Sequence, residues 1–129
     1  MITEAGILGK IGLNSSGVGV TLNAIKARGV DFCKLPCHLA LRTVLNSHSR
    51  ISAVEKLASI GVASACHITV GDDTGGAGLE CSHRDIVTIG MSDQGVCSHT
   101  NHFVRWHVAG VVDAVLVGNS KESDGTGRE

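Results

Sequence analysis

The stretch "ASACHITVGDDTGGAGLECS", residues 63–82, decides the fold class, because the hydrophobic period of the chain changes within it. Its two arms are short apolar runs typical of strands, and its centre, rich in Gly and Asp, suits a tight turn. The centre, "GDDTGGAG" (71–78), has neither P-loop spacing nor a helix after it, and its aspartates would repel phosphate. The stretch therefore predicts a β-hairpin and not a phosphate-binding loop.

Strand patterns also lie on both sides of this hairpin. Residues 5–25, "AGILGKIGLNSSGVGVTLNAI", contain two aliphatic runs separated by "NSSG", which predicts an earlier hairpin. After the central hairpin, "DIVTIG" (85–90) and "GVCSHTNHF" (95–103) predict two further strands.

Helical spacing appears between the two hairpins. Pro36 suits a first helical turn, and it precedes four residues spaced to share one face: Leu41, Val44, Leu45 and His48. A second helix is predicted behind Ser49, with one face formed by Ile51, Val54, Leu57 and Ala58. Ser52 and Glu55 have the form of a capping box, and Gly61 should end this helix. The order of strands, two helices and strands favours a layered α+β fold.

The two ends of the chain carry other signals. Residues 108–118, "VAGVVDAVLVG", are apolar but fit no single element, and residues 119–129 lack apolar anchors, which predicts a flexible polar tail. The N-terminus has no unbroken apolar run of the kind that a signal peptide or membrane span needs. We therefore expect an intracellular protein.

Composition limits the partners. The chain has 129 residues, 43% of them hydrophobic, and a net charge of -1 with acidic and basic residues interspersed. This balance argues against a nucleic-acid surface and against a polybasic membrane patch, so small molecules are the expected partners.

Cysteines and histidines offer two kinds of site. Cys97, His99 and His102 could bind zinc only if the strand broke between them, because positions 97 and 102 of one strand face opposite sides. Cys37 should lie at a helix N-terminus, where the helix dipole would lower its pKa, which makes it a candidate nucleophile. Five cysteines in a reducing compartment should remain thiols.

Several motifs, in this order, resemble one known family, the fungal acyl-coenzyme A:6-aminopenicillanic acid acyltransferases. They are "TEAGILGKIGLNSSGVGVTLNA" (3–24), "LPCHLALRTVLNS" (35–47), "CHITVGD" (66–72), "GLE" (78–80) and "HTNH" (99–102). The resemblance covers roughly residues 2–105, so we assign 1–107 to a partial acyltransferase domain.

The resemblance implies an N-terminal nucleophile hydrolase fold, a four-layer αββα sandwich of antiparallel sheets and helices. Family members attack a thioester or amide with a cysteine thiol and pass the acyl group to the amine of the penicillin nucleus. An acyl-CoA is then the co-substrate, no cofactor is needed, and no metal site is implied. By the same resemblance Asn101 is a side-chain donor to the oxyanion hole, and Leu22, Asn23 and Thr100 border the substrate pocket. Loss of an oxyanion donor raises the barrier by about 3 kcal/mol.

The resemblance also implies that this chain is a central part of such an enzyme. No cysteine here follows a glycine, as the family's self-cleavage junction requires. The nucleophile would then come from a complementary chain or segment, and uncovered strands would favour self-association. The alternative is a non-catalytic remnant or binding subunit. The family is peroxisomal through a C-terminal signal that "GRE" (127–129) does not match, so a cytoplasmic location is expected.

Overall fold

The computed structural model describes residues 9–114, which form one antiparallel sheet covered on one face by two helices. The strands are β1 (Gly12–Leu13), β2 (Gly19–Ala24), β3 (Cys66–Asp72), β4 (Gly75–Cys81) and β5 (Ile86–Gly90). The helices, α1 (Cys37–Leu45) and α2 (Arg50–Ile60), lie between β2 and β3 in the chain. Each strand pairs with the next, in the order β1-β2-β3-β4-β5. The α+β prediction is confirmed.

The first hairpin is closed by Asn14, as the "NSSG" motif predicts. Its side-chain oxygen accepts hydrogen bonds from the backbone N–H groups of Ser16 and Val18, each at 2.9 Å. Its side-chain amide donates to the carbonyls of Leu45 (2.9 Å) and Ser47 (2.7 Å). Asn14 therefore forms the turn and also ties it to the end of α1.

Helix α1 begins directly after Pro36, whose φ of -52° already fits a helix. The predicted apolar face is buried at Leu41, Val44 and Leu45. His48 does not share it: the helix ends at Leu45, and His48 is exposed with its Nδ1 3.3 Å from the Ser16 hydroxyl.

Helix α2 is capped by Ser49, whose side chain accepts a hydrogen bond from the backbone N–H of Ser52. The predicted capping box at Ser52 and Glu55 is wrong, because Ser52 is already inside the helix. Gly61 ends the helix with a φ of +80°, a conformation that favours glycine.

The buried face of α2 also differs from the prediction. Ala53 and Leu57, four residues apart, are fully buried, whereas Ile51 and Ala58 are exposed. The Ser49 cap fixes where the helix starts, and the sheet below covers only a narrow stripe of it.

The central hairpin forms as predicted, with Asp72 opposite Gly75 at its end. The Asp72 carboxylate accepts hydrogen bonds from the backbone N–H of Arg50 (2.7 Å) and of Thr74 (2.9 Å). The Thr74 hydroxyl also donates a hydrogen bond to this carboxylate. That bond is the largest cause of the lowered pKa of Asp72, and the two backbone bonds act in the same direction. The hairpin turn is thereby joined to the first residue of α2.

The helices bury one face of the sheet in an aliphatic core. The cross-strand pairs Val20 with Val70 and Ile68 with Leu79 put alternate strand residues on this side. These strand residues pack against the apolar faces of α1 and α2. Seven residues of this core are at most 2% exposed: Val20, Leu41, Val44, Leu57, Ile68, Val70 and Leu79.

Beyond β5 the described chain, up to residue 114, contains an isolated bridge between Asp113 and Ala27 but no further strand. The strand predicted over 95–103 is therefore wrong. Residues 115–118 of the apolar segment and the polar tail, 119–129, lie outside the described residues. Within residues 9–114, no helix is both long and apolar enough to cross a bilayer.

Candidate functional site: a buried glutamate network

The face of the sheet opposite the helices carries a row of polar side chains. Asn23 on β2 pairs directly with His67 on β3, and His67 pairs directly with Glu80 on β4. Directly paired residues point to the same side of a sheet, so these three share the face that the helices leave uncovered.

Glu80 is the centre of the site. It is fully buried, and its carboxylate accepts hydrogen bonds from the backbone N–H groups of Val104 (2.6 Å) and Arg105 (3.0 Å). The ring Nε2 atoms of His99 (2.6 Å) and His107 (3.3 Å) also contact its two oxygens. A buried carboxylate is tolerated when it is paired in this way. We call residues 97–108 the covering loop, because Glu80 holds it against the sheet.

The far end of the covering loop is held by Asp85, just before β5. Asp85 accepts hydrogen bonds from the His107 ring (2.6 Å) and from the backbone N–H of Val108 (2.9 Å). Burial acts to raise the pKa of Asp85, but hydrogen bonds from the Ser82 hydroxyl and from His107 outweigh it, and the pKa is lowered.

His67 stacks flat on His99, with ring centroids 3.7 Å apart and planes 5° from parallel. Burial lowers the pKa of His67 to about 4, and nearby His99 acts in the same direction, while Glu80 opposes them. His67 is therefore neutral at physiological pH. The His67 ring contributes packing to the network, and the Glu80 oxygens accept the hydrogen bonds of the network.

The predicted oxyanion residue, Asn101, lies in a bend of the covering loop, and it is exposed. Thr100 beside it is half-buried, with its hydroxyl 3.0 Å from Nδ1 of His102, and its carbonyl accepts a hydrogen bond from Nδ1 of His99. Since His99 also contacts Glu80, the backbone next to Asn101 is joined through one imidazole to the buried carboxylate.

The two predicted pocket residues on β2 point to opposite faces. Asn23 is half-buried on the same face as His67 and Glu80, whereas Leu22 packs against the core on the helix side. Asn23 and the Thr100–Asn101 bend are therefore brought to one side of the sheet, and Leu22 is not. The roles of Asn101, Thr100, Asn23 and Leu22 stay predictions.

An open groove of about 670 Å³ lies beside this row, over β1, β2 and β3. Its walls are mainly apolar, and none of the four predicted site residues lines it. The groove is lined by Ile11, Gly12, Leu13, Gly17, Gly19, Val20, Thr21, Thr69, Gly71 and Asp72.

All five cysteines are free thiols, as predicted. Cys37 does lie at the first position of α1, but its pKa is raised, first by a hydrogen bond with Cys66 and then by burial. Cys66 likewise has a raised pKa. The predicted activation of Cys37 is therefore wrong, because the hydrogen bond with the Cys66 thiol and burial raise its pKa.

The histidines that suggested zinc have other contacts. His99 contacts Glu80 and the Thr100 carbonyl, and His102 contacts Thr100. No cluster of three or more His, Cys, Asp or Glu residues suited to a metal ion occurs within the described range, 9–114.

Sequence reasoning missed Glu80, His67 and His107. One signal was available for Glu80: it is the only charged residue within β4, a strand otherwise made of glycine, alanine, leucine and cysteine. A charge inside a buried strand requires partners, and the histidine-rich loop downstream could have supplied them.

The fold and site define an α+β protein in which an antiparallel sheet, helix-covered on one side, holds a histidine-rich loop on the other through a buried carboxylate. Residues 1–116 match the family model described as acyl-coenzyme A:6-aminopenicillanic acid acyl-transferase. The chain therefore belongs to this acyltransferase family. The match extends beyond residue 105, where the motif resemblance ended.

One curated relative gives the scale of the similarity. The acyl-coenzyme A:6-aminopenicillanic-acid-acyltransferase 40 kDa form of Emericella nidulans is 44% identical over 108 residues. The alignment covers 83% of this chain but only 30% of that relative.

Proposed function

We propose that this chain forms the oxyanion-supporting part of an acyltransferase that moves an acyl group from acyl-CoA to an amine such as 6-aminopenicillanic acid. The Asn101 side-chain amide donates a hydrogen bond to the carbonyl oxygen as negative charge develops on it. Thr100 and Asn23 border the acyl and amine groups on the same side of the sheet, and Leu22 shapes the strand beneath them.

One observation carries the proposal. Glu80 holds both the backbone after Asn101 and the imidazole of His99 before it, so the bend at Thr100–Asn101 is anchored on both sides. An oxyanion donor must be held in place before the charge forms, because reorganisation during the reaction would cancel its benefit.

The nucleophile is proposed to lie on another segment. Cys37 and Cys66 have raised pKa values, which disfavours the thiolate that attack requires. The sheet and its helix layer then make half of a four-layer sandwich of the N-terminal nucleophile hydrolase type. A cysteine whose own α-amino group is the base would complete the site from the other half.

A chimera provides the test. The 108 residues of the Emericella nidulans acyltransferase that align with this chain are replaced by the corresponding residues of this chain. Transfer of the phenylacetyl group from phenylacetyl-CoA to 6-aminopenicillanic acid is measured by liquid chromatography and mass spectrometry. We expect activity, and we expect Asn101→Ala to lower kcat by about 10²–10³-fold.

Ser98→Ala is the matched control, since Ser98 is an exposed neighbour in the same loop, and its kcat should stay unchanged. A folded chimera without transfer would favour the second candidate function, a non-catalytic binding subunit. The raised pKa values of Cys37 and Cys66 also support that candidate. Unchanged kcat in Asn101→Ala would remove the oxyanion role.

A further inference from the structure

One member of the polar face is not explained by the network around Glu80. His67 is 1% exposed, yet neither of its ring nitrogens has a hydrogen-bond partner within residues 9–114. Buried polar atoms in native proteins are nearly always paired, so an unpaired imidazole calls for a chemical reason.

The thiol of Cys97 approaches the same point as this imidazole. A Cβ atom built on Gly78 would lie 2.5 Å from Nε2 of His67 and 3.1 Å from Sγ of Cys97. Both heteroatoms therefore lie close to the same point over the glycine, although no hydrogen bond joins them, and a side chain at position 78 would displace the imidazole. Glycine at this point in β4 leaves room for a thiol beside a base.

The imidazole is in the correct form to accept a proton. Its pKa, lowered to about 4 mainly by burial, leaves it neutral near pH 7, with one ring nitrogen holding a free lone pair. The stacked His99 ring fixes its orientation, since His99 is itself held by Glu80. Because a pKa of about 4 makes this imidazole a weak base, it takes the thiol proton only as the sulfur attacks, in one concerted step.

The other cysteines lack this arrangement. Cys37 and Cys66 face each other with raised pKa values, and the buried Cys81 thiol donates to the Leu79 carbonyl at 3.7 Å. Cys33 is exposed in the segment before α1. Cys97 is half-buried, so it is open to a reagent, and its sulfur lies over Gly78 as the His67 ring does.

We propose that Cys97 and His67 form a thiol–imidazole pair that accepts acyl groups from thioesters. Nε2 of His67 takes the Cys97 proton, and the sulfur forms a bond to the thioester carbonyl carbon. The bond from that carbon to the leaving sulfur then breaks, and the departing thiolate takes the proton from His67. The products are S-acyl Cys97 and a free thiol. Only the choice of acyl-CoA as the natural thioester rests on the proposed function.

The test uses the full chain, without amine acceptor and without any nucleophile-bearing segment. The protein is incubated with phenylacetyl-CoA at neutral pH, and acylation of each cysteine is followed by peptide mass spectrometry. We expect Cys97 to be acylated about tenfold or more faster than the exposed Cys33, near the lower end of general-base effects. Hydroxylamine should remove the label, as it does from thioesters.

Three variants distinguish labelling that depends on His67 from labelling that reflects only the exposure of a cysteine. Cys97→Ser should abolish the fast label, His67→Gln should slow it about tenfold or more, and Cys33→Ser should leave it unchanged. Because His67→Gln alters a buried site, its circular dichroism spectrum and iodoacetamide rate at Cys97 are measured as well. A folded His67→Gln protein with an undiminished rate would overturn the pair, as would Cys97 labelling no faster than Cys33. Neither result bears on Asn101, which the chimera tests separately.

Discussion

The two faces of the sheet are stabilised by different physics. The helix face is an aliphatic layer in which Ile68 and Leu79 are fully buried and contribute through the area they remove from water. The opposite face has Asn23, His67 and Glu80 in the same strands, and its contacts are directed hydrogen bonds to a loop. The stability of the helix face should therefore fall when buried side-chain volume is removed. The stability of the opposite face should fall when a charge is removed or a group is protonated.

The largest effect is expected on the helix face. Leu41→Ala removes a fully buried side chain from α1, and it should lower the free energy of unfolding by about 2–5 kcal/mol, measured by urea denaturation. Leu39→Ala, at a position on the same helix that is 54% exposed, should change it by less than about 0.5 kcal/mol. Similar losses for the two variants would contradict the helix packing.

Acid should act mainly on the opposite face. The pKa of His67 is 6.5 in a model peptide and about 4 when folded, so the unfolded state binds more protons between these values. The free energy of unfolding should therefore fall as pH is lowered through this window, by up to about 1.4 kcal/mol per pH unit. His67→Gln should flatten the slope, measured by urea denaturation at several pH values.

His38→Gln, at an exposed position of α1, is the matched control for this titration and should retain the slope. The other titratable groups at the cluster include Glu80, His99, His107 and Asp85. Asp85 has a lowered folded pKa, so its contribution is present above its ordinary value of 3.8 and is lost only in stronger acid. A slope that survives in His67→Gln would contradict the assignment.

A smaller loss is expected when the Glu80 charge is removed. Glu80→Gln keeps the shape but weakens bonds to two backbone N–H groups and two imidazoles, which should cost about 1–3 kcal/mol. Hydrogen exchange should accelerate in the covering loop, residues 97–108, while β3 stays protected. Glu55→Gln, exposed on α2, should change neither quantity.

The smallest effect concerns the start of α2. Ser49→Ala removes the capping oxygen and should lower the free energy of unfolding by about 1 kcal/mol. Ser52→Ala should cost less than about 0.5 kcal/mol, because only its backbone N–H takes part in the cap. Thermal denaturation of both variants would show which serine caps the helix. A larger loss of stability for Ser52→Ala than for Ser49→Ala would support the capping box at Ser52 and Glu55 instead.

Local patterns predicted most of the elements. The turn at Asn14, the helix after Pro36 and the end of α2 at Gly61 each depend on a few neighbouring residues, and each forms as expected. The prediction of a strand over 95–103 was wrong because it used only the local alternation of residues. This segment is held as a loop by Glu80, which lies 24 residues before Val104 in the chain.

Motif order predicted four site residues, and their roles stay predictions. Thr100, Asn101 and Asn23 came from motif order, and the structure brings them to one side of the sheet. Leu22 follows strand alternation to the other face. Cys37 was misjudged, because the dipole of its own helix is visible in the sequence and the thiol of Cys66 beside it is not.

The sequence by itself determined the two hairpins, the two helices, their order and the family, because periodicity, turn residues and motifs act over short distances along the chain. The tertiary structure alone decided which polar groups meet: Glu80 with the covering loop, His67 with His99, and Cys37 with Cys66. Strand register and loop closure set these contacts, and both depend on residues far apart in the chain.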